Sequence, residues 1–315
     1  GVIELPSFYA DMGGNDGGRS TTTDMRRILN DFNAQNVDAL VVDLRRNGGG
    51  SLKEAIDCTG LFIDIGPVVQ VKDAYGQIRK LNDEKAGTSW DKPMVVLTSK
   101  FSASASEILA GAIQDYGRGI VVGDTTTHGK GTVQSLIDLN EIVFRLRNPP
   151  NKYGALKITM QQFYRPNGDS TQKRGVPSDL VLPSFSDKMD VSESDLDYPV
   201  EFDRIPQASF PKMDLVTPTI QEQLTQNSAE RINELDDFQK LKRRIEQYVE
   251  QKNLKKVSLN EEVFLARRKE LNADKEDEKT FEKQITPGTE IERTFYLEEV
   301  LDITSDYVDL LRNQS

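Results

Sequence analysis

The sequence predicts an α/β fold, with a mixed, largely parallel sheet and covering helices, followed by a helical C-terminal region. Three observations carry this. Short runs such as "VDALVVDLR" (37–45), "PMVVLTS" (93–99) and "GIVVGD" (119–124) are apolar at successive positions, as in strands buried on both faces. Segments with helical spacing stand between them, so that strand and helix alternate. Beyond residue 212 the apolar positions recur at three- and four-residue steps instead.

In chain order, "VIELPSFY" (2–9) reads as a strand ending in an aromatic loop, and "TTTDMRRILNDF" (21–32) as a helix whose N-cap lies among the threonines. The run at 37–45 enters "NGGGSLKEAIDCTGLFI" (47–63), a glycine turn that opens a helix. "PVVQV", "MVVLT", "GIVVGD", "TVQSLIDL" and "ALKITMQQFY" then follow as strands around a helix at 104–116. Residues 1–183 form one unit on this reading. The acidic, proline-containing stretch 184–212 has no steady period and reads as a linker or a strap. In the helical region 213–315, Leu235, Phe238, Leu241, Ile245 and Tyr248 mark one amphipathic face and Val300, Thr304, Tyr307 and Leu311 another. Between them, 272–290 has the charge density of a solvated loop.

The chain has 315 residues, of which 37% are hydrophobic and 29% charged, the balance of a soluble globular protein with solvated segments. A net charge of −11 argues against a nucleic-acid partner, which demands a basic face. No apolar run approaches the roughly 20 residues of a membrane span. Gly1-Val2-Ile3 shows neither an initiator Met nor a signal-peptide pattern, so the chain reads as a piece of a longer precursor. The single cysteine, Cys58, lies in an apolar run and reads as a core residue. With one Cys and one His, neither an internal disulfide nor a zinc site is expected, and no cofactor is called for.

Candidate chemistry begins at "KFSASASEILAG" (100–111), where a strand meets a helix. Ser104 and Glu107 have the spacing of a capping box, with the hydroxyl accepting from the amide near Glu107 and the carboxylate reaching back. The same junction is where a nucleophilic serine sits, and on local grounds Ser102, Ser104 and Ser106 all qualify. "GDTTTHGKGTVQ" (123–134) departs from a Walker A loop: one residue too many separates Gly123 from Gly129-Lys130, and glycine replaces the hydroxyl residue after the lysine. His128 lies in the same loop with no carboxylate nominated to fix its tautomer, and reads as a surface histidine. A serine–lysine pair remains. Burial against apolar strands lowers a lysine into the range of a working base, glycines on both sides of Lys130 allow close backbone approach, and Gln134 orients the amine without adding charge.

"SASASEILAGAIQDYGRGIVVGD" followed by "GKGTVQ" resembles the signature of the C-terminal processing, or tail-specific, serine peptidases, which use a Ser–Lys dyad on a crotonase-like α/β scaffold. "VDALVVDLRRNGGGSLKEAI" is similar to their strand-and-glycine segment, and 158–183 to the segment that closes their protease core. Residues 190–315 look like the extra helical domain of the long periplasmic tail-specific type. The resemblance implies Ser104 as nucleophile, Lys130 as base and Gln134 as its support, with an oxyanion hole from the N–H groups of Ala105 and Gly49. It implies a serine endopeptidase of the bacterial cell envelope, acting on polypeptides with accessible C-termini, and an adaptor or a second copy of the chain as further partners. The competing class is a binding or scaffold protein that keeps the fold with an inactive dyad, because the Ser104–Lys130 spacing is one residue longer than the family's usual. A PDZ domain usually precedes the strand resembling "GVIELPSFY"; none is read within this sequence.

Overall fold

The computed structural model describes residues 1–10, 18–142, 153–254, 259–262, 265 and 291–313. The loop expected over 272–290 lies outside the described residues. The strands separate into two sheets rather than one. Five are parallel: β1 (Val2–Glu4), β2 (Leu40–Asp43), β5 (Met94–Thr98), β6 (Ile120–Gly123) and β9 (Leu180–Val181), in the order β1-β2-β5-β6-β9. Four are antiparallel: β3 (Gly66–Asp73), β4 (Ile78–Asp83), β7 (Thr132–Asp138) and β8 (Ala155–Tyr164), in the order β4-β3-β8-β7. The division follows burial. β2, β5 and β6 are buried at every position, whereas much of the β7–β8 ribbon faces solvent and would waste a place between two apolar layers. The pattern reading missed β4, a charged and mostly exposed edge strand, and β9, which has two residues.

Alternation along the parallel strands fills both faces. Leu40, Val42, Met94, Val96 and Val121 join Leu29 of α1 (Thr21–Ala34), Cys58 of α2 (Leu52–Thr59), and Leu109 and Ile113 of α3 (Ala105–Asp115) in one apolar cluster. Val41, Val95, Leu97, Ile120 and Val122 form a second cluster with the C-terminal helices. After the short α4 (Leu139–Ile142), these are α5 (Pro218–Glu234) with Ile220 and Leu224, α6 (Asp236–Lys252) with Phe238, and α7 (Phe295–Arg312) with Val300, Ile303 and Tyr307. The helical region therefore shares its core with the sheet. Burying each such aliphatic side chain is worth about 1.5–3 kcal/mol, so without α5 and α7 one face of the sheet would be left bare. The helix starts are capped by Ser20, Ser51, Thr217 and Thr294 side chains, Ser20 standing one position before the expected threonines. No described helix is long and apolar enough to cross a membrane.

Within 184–212, residues 184–193 run as a strap over the loop that follows β6, whereas residues 203–208 pair with 166–170 after β8. Ser184 and Ser186 hydroxyls donate to the Asp124 carboxylate, the Thr125 N–H donates to Asp187 Oδ1 at 3.0 Å, and the Glu193 N–H donates to the His128 carbonyl at 2.9 Å. Lys252 of α6 holds the strap from the other side at Asp190, and Phe185 meets Tyr248 edge-on.

Candidate active site

The turn between β5 and α3 explains why three serines crowd one junction. Ser102 is fully buried, accepts from the Ser99 N–H at 2.9 Å and donates to the Leu44 carbonyl at 2.8 Å. Ser106 is also fully buried and donates to the Asn47 carbonyl at 2.7 Å. Both hydroxyls stitch the turn to the loop after β2. Ser104 stands between them, partly exposed, with φ 58° and ψ −110°. Positive φ is costly for a residue with a Cβ, so the surrounding bonds hold this serine in a strained elbow at the start of a helix. The capping box is in place with both halves juxtaposed: the Glu107 carboxylate accepts from the Ser104 N–H at 2.7 Å, and the Ser104 side chain stands over the Glu107 N–H without forming a cap hydrogen bond.

The glycine turn after β2 backs onto this elbow. Gly49 has φ 108°, and a Cβ there would lie 2.9 Å from both the Ala103 carbonyl oxygen and the Ser104 Cβ. Asn47, fully buried, organises the turn: its Nδ2 donates to the Leu5 carbonyl at 2.9 Å and its carbonyl accepts from the Ala103 N–H at 3.1 Å. Its Oδ1 accepts from the Gly49 N–H at 2.9 Å. The Gly49 amide, expected to face a developing oxyanion, is thus held by an Asx turn in this structure. The Ala105 N–H sits in the first turn of α3, where amides have no intrahelical acceptor.

Glu107 joins the serine to the lysine. Its side chain is fully buried and takes four donors: the Ser104 N–H at 2.7 Å and the Lys130 N–H at 3.0 Å on Oε2, and the Thr127 hydroxyl at 2.6 Å and the Gly129 N–H at 2.8 Å on Oε1. Burial pushes its pKa up to about 7, against the pull of those donors. The glycines around Lys130 have steric reasons as well. Gly129 has φ 94°, and a Cβ on Gly131 would lie 2.7 Å from the Gln172 nitrogen and the Ser170 hydroxyl.

Lys130 itself is half-buried, and its Nζ donates to Gln134 Oε1 at 3.2 Å. Its pKa is lowered, first by burial and then by the Lys157 charge, while Glu193 and Glu107 act the other way. Among the described residues the Ser104 hydroxyl and the Lys130 amine are not hydrogen-bonded to each other, and such contacts commonly close only around a substrate. His128 is not the exposed loop residue expected. Its Nδ1 is buried without a hydrogen-bond partner, 3.9 Å from Glu193 Oε2 on the strap, and burial lowers its pKa. The pattern reading missed Asn47 and Glu193 and gave Glu107 only a capping role. Asn47 carried a signal, an Asn two residues before a glycine; Glu193 carried none, because only the folded strap brings it to the loop.

A family profile described as "Peptidase family S41" matches residues 1–182. The chain belongs to peptidase family S41. The S41 match contains the serine elbow, the glycine turn and the Lys130 loop, and a second profile, "C-terminal domain of tail specific protease (DUF3340)", matches residues 186–309. The chain is similar to the tail-specific protease of Haemophilus influenzae, 44% identical over 209 residues that make up 66% of this chain and 28% of that protein. It is similar also to a carboxyl-terminal-processing protease of Picosynechococcus, 33% identical over 209 residues, 66% of this chain and 45% of the relative. The chain therefore spans less than half the length of these relatives. Among solved structures, a photosystem II D1 C-terminal processing protease is 29% identical, with a TM-score of 0.47 over 57% of this chain and 42% of that one.

Proposed function

We propose that the chain is the catalytic part of a serine endopeptidase that cleaves polypeptides recognised by their C-terminal tails, with Ser104 as nucleophile and Lys130 as base. The observation that carries this is the division of labour among the serines. The Ser102 and Ser106 hydroxyls are buried and bonded to backbone, whereas the Ser104 hydroxyl, at a strained elbow, makes no cap hydrogen bond. The Ser104 and Lys130 amides also meet on one carboxylate oxygen, which ties the two backbones into a common frame.

On this reading a neutral Lys130 amine takes the Ser104 proton as the oxygen attacks the scissile carbonyl. Gln134 aims the amine and contributes no charge to raise its pKa. The oxyanion is met by the Ala105 N–H and by the Gly49 N–H once the latter turns from Asn47. The ammonium of Lys130 then protonates the departing amine, leaving an ester on Ser104 that water hydrolyses with Lys130 again as base. Residues 1–183 would be the peptidase unit, 184–212 a strap, and 213–315 a helical layer docked on the sheet. The relatives are named for the processing of C-terminal tails, which supports the same activity here, and we assign the bacterial envelope, and within it the periplasm, as the place of action. An adaptor or a second copy of the chain is the further partner to seek.

The test is labelling of the complete protein with a serine-reactive phosphonate. The expected adduct is on Ser104, absent in Ser104→Ala, with turnover lost in Lys130→Ala and in Lys130→Arg, whose guanidinium does not release its proton at working pH. Turnover surviving in Ser104→Ala but lost in Ser106→Ala would overturn the assignment. No adduct at all would leave a binding protein of the same fold.

A further inference from the structure

Lys157 projects from β8, in the part of the β7–β8 ribbon that faces solvent. The ladder pairs Gln134 with Thr159 and Leu136 with Lys157. Side chains two residues apart on a strand share a face, and cross-strand partners share it too, so Gln134, Leu136, Lys157 and Thr159 all lie on one side of the ribbon. Gln134 is the residue whose Oε1 accepts from Lys130 Nζ at 3.2 Å. Lys157 is thus an ammonium on the same face as the amine's one neutral partner, and among the described residues it forms no salt bridge that would cancel its charge.

We propose that Lys157 is a positioning residue for the base, acting on the Lys130 amine through space across the β7–β8 ribbon. This rests on the reading of Lys130 as general base. The ionisable groups that act on Lys130 are Lys157 from β8, Glu193 from the strap, Glu107 from α3 and, on its own loop, His128, whose Nδ1 lies 3.9 Å from Glu193 Oε2. The two carboxylates favour the ammonium form and oppose Lys157, Glu107 while holding its four donors and Glu193 while accepting from Gln172 Nε2 at 3.0 Å. After burial, the Lys157 charge is the influence that lowers the Lys130 pKa. A cation held nearby makes a second cation at Lys130 unfavourable, so the amine releases its proton to solvent and stands ready to take the one on Ser104. Lys157 makes and breaks no bond; it works through its field alone.

The experiment is the pH profile of kcat/KM in the complete protein, with the pH dependence of phosphonate labelling of Ser104 as a second readout. Removing the neighbouring charge raises the Lys130 pKa, so the rising limb of the profile moves to higher pH while the plateau stays. Lys157→Met should lower kcat/KM on the rising limb by about two- to fivefold, the range of exposed charge pairs. Lys157→Glu should shift the limb further in the same direction, and Lys157→Arg, which keeps the charge, should match the wild type. Raising the salt concentration should shrink the gap between wild type and Lys157→Met. An unmoved limb in both Lys157→Met and Lys157→Glu overturns the proposal. So does a change in KM alone with the midpoint fixed, which would make Lys157 a substrate contact. Lys130→Ala separates the two readings: if it retains turnover, the base assignment itself falls, whereas an inactive Lys130→Ala with unmoved Lys157 profiles defeats this proposal only.

Discussion

Ser104 and Lys130 reach the same carboxylate from frameworks built on opposite plans. Ser104 follows β5, a strand buried at every position between two apolar layers, and it opens α3, whose residues 105–113 are all buried. Lys130 lies at the root of a ribbon whose outer half faces water on both sides. One side is placed by packing, the other by hydrogen bonds and charge. Changes on the serine side should therefore act through strain and stability, and changes on the lysine side through orientation and pH.

Glu107 is where the two plans meet, and replacing it gives the largest effect. Glu107→Ala orphans four donors at a buried site, and each buried polar group left without a partner costs about 1–3 kcal/mol. A loss of at least ~3 kcal/mol in urea unfolding is expected, together with loss of turnover, since both loops are released. The carboxylate also gives stability a pH slope. Its pKa is raised from 4.5 in the unfolded chain to about 7 in the folded one, so the native state keeps a proton that the unfolded state has lost. That contribution is fully present below pH 4.5 and is lost as the pH rises through about 7. Its share of the slope should vanish in Glu107→Ala, leaving that of other buried carboxylates such as Asp115, Asp124 and Asp179, whose pKa values burial also raises. A variant that kept wild-type stability and lost only activity would show that the carboxylate serves the chemistry without holding the loops.

Gly49→Ala probes the serine side alone. The added Cβ would meet the Ala103 carbonyl oxygen and Ser104 Cβ at 2.9 Å on a backbone with φ 108°. Strain of about 1–3 kcal/mol plus displacement of the elbow should lower kcat more than KM, with the pH midpoint unchanged. A shifted midpoint would mean that the glycine turn and the lysine loop are coupled more tightly than the shared carboxylate requires.

The sequence made the buried half of the site easier to read than the exposed half, for a physical reason. Apolar runs such as "ALVVDL" and "MVVLT" betray a strand covered on both faces, and glycine after a strand betrays a turn, so the scaffold and the segment around Ser104 were legible. Which elements cover the second face was not, because helices α5 and α7 are distant in sequence from the sheet they complete. The separation into two sheets was hidden too: the residues of β7 and β8 alternate like any strands, and only the polar side chains on both faces distinguish a projecting ribbon. Around Lys130, the flanking glycines and Gln134 were visible. Glu193 and Lys157 were not, since their influence depends on the path of the strap and the register of the ribbon.

The smallest effects carry the sharpest test of the comparison, because they are expected to differ between Ser104 and Ser106, two serines of one turn. Ser106→Ala removes a buried hydroxyl that donates to the Asn47 carbonyl at 2.7 Å, and should destabilise by about 1 kcal/mol. Ser104 makes no cap hydrogen bond and sits at φ 58°, so replacing it loses little bonding. Ser104→Gly removes the Cβ that makes this backbone costly, while adding freedom to the unfolded chain that offsets part of the gain. The balance should leave Ser104→Gly more stable than Ser104→Ala by up to about 1 kcal/mol, both variants being inactive. Urea midpoints of the three variants decide it. If Ser104→Gly proves as destabilising as Ser106→Ala, the elbow stores no strain, and the serine owes its exposure to the loop after β5 alone.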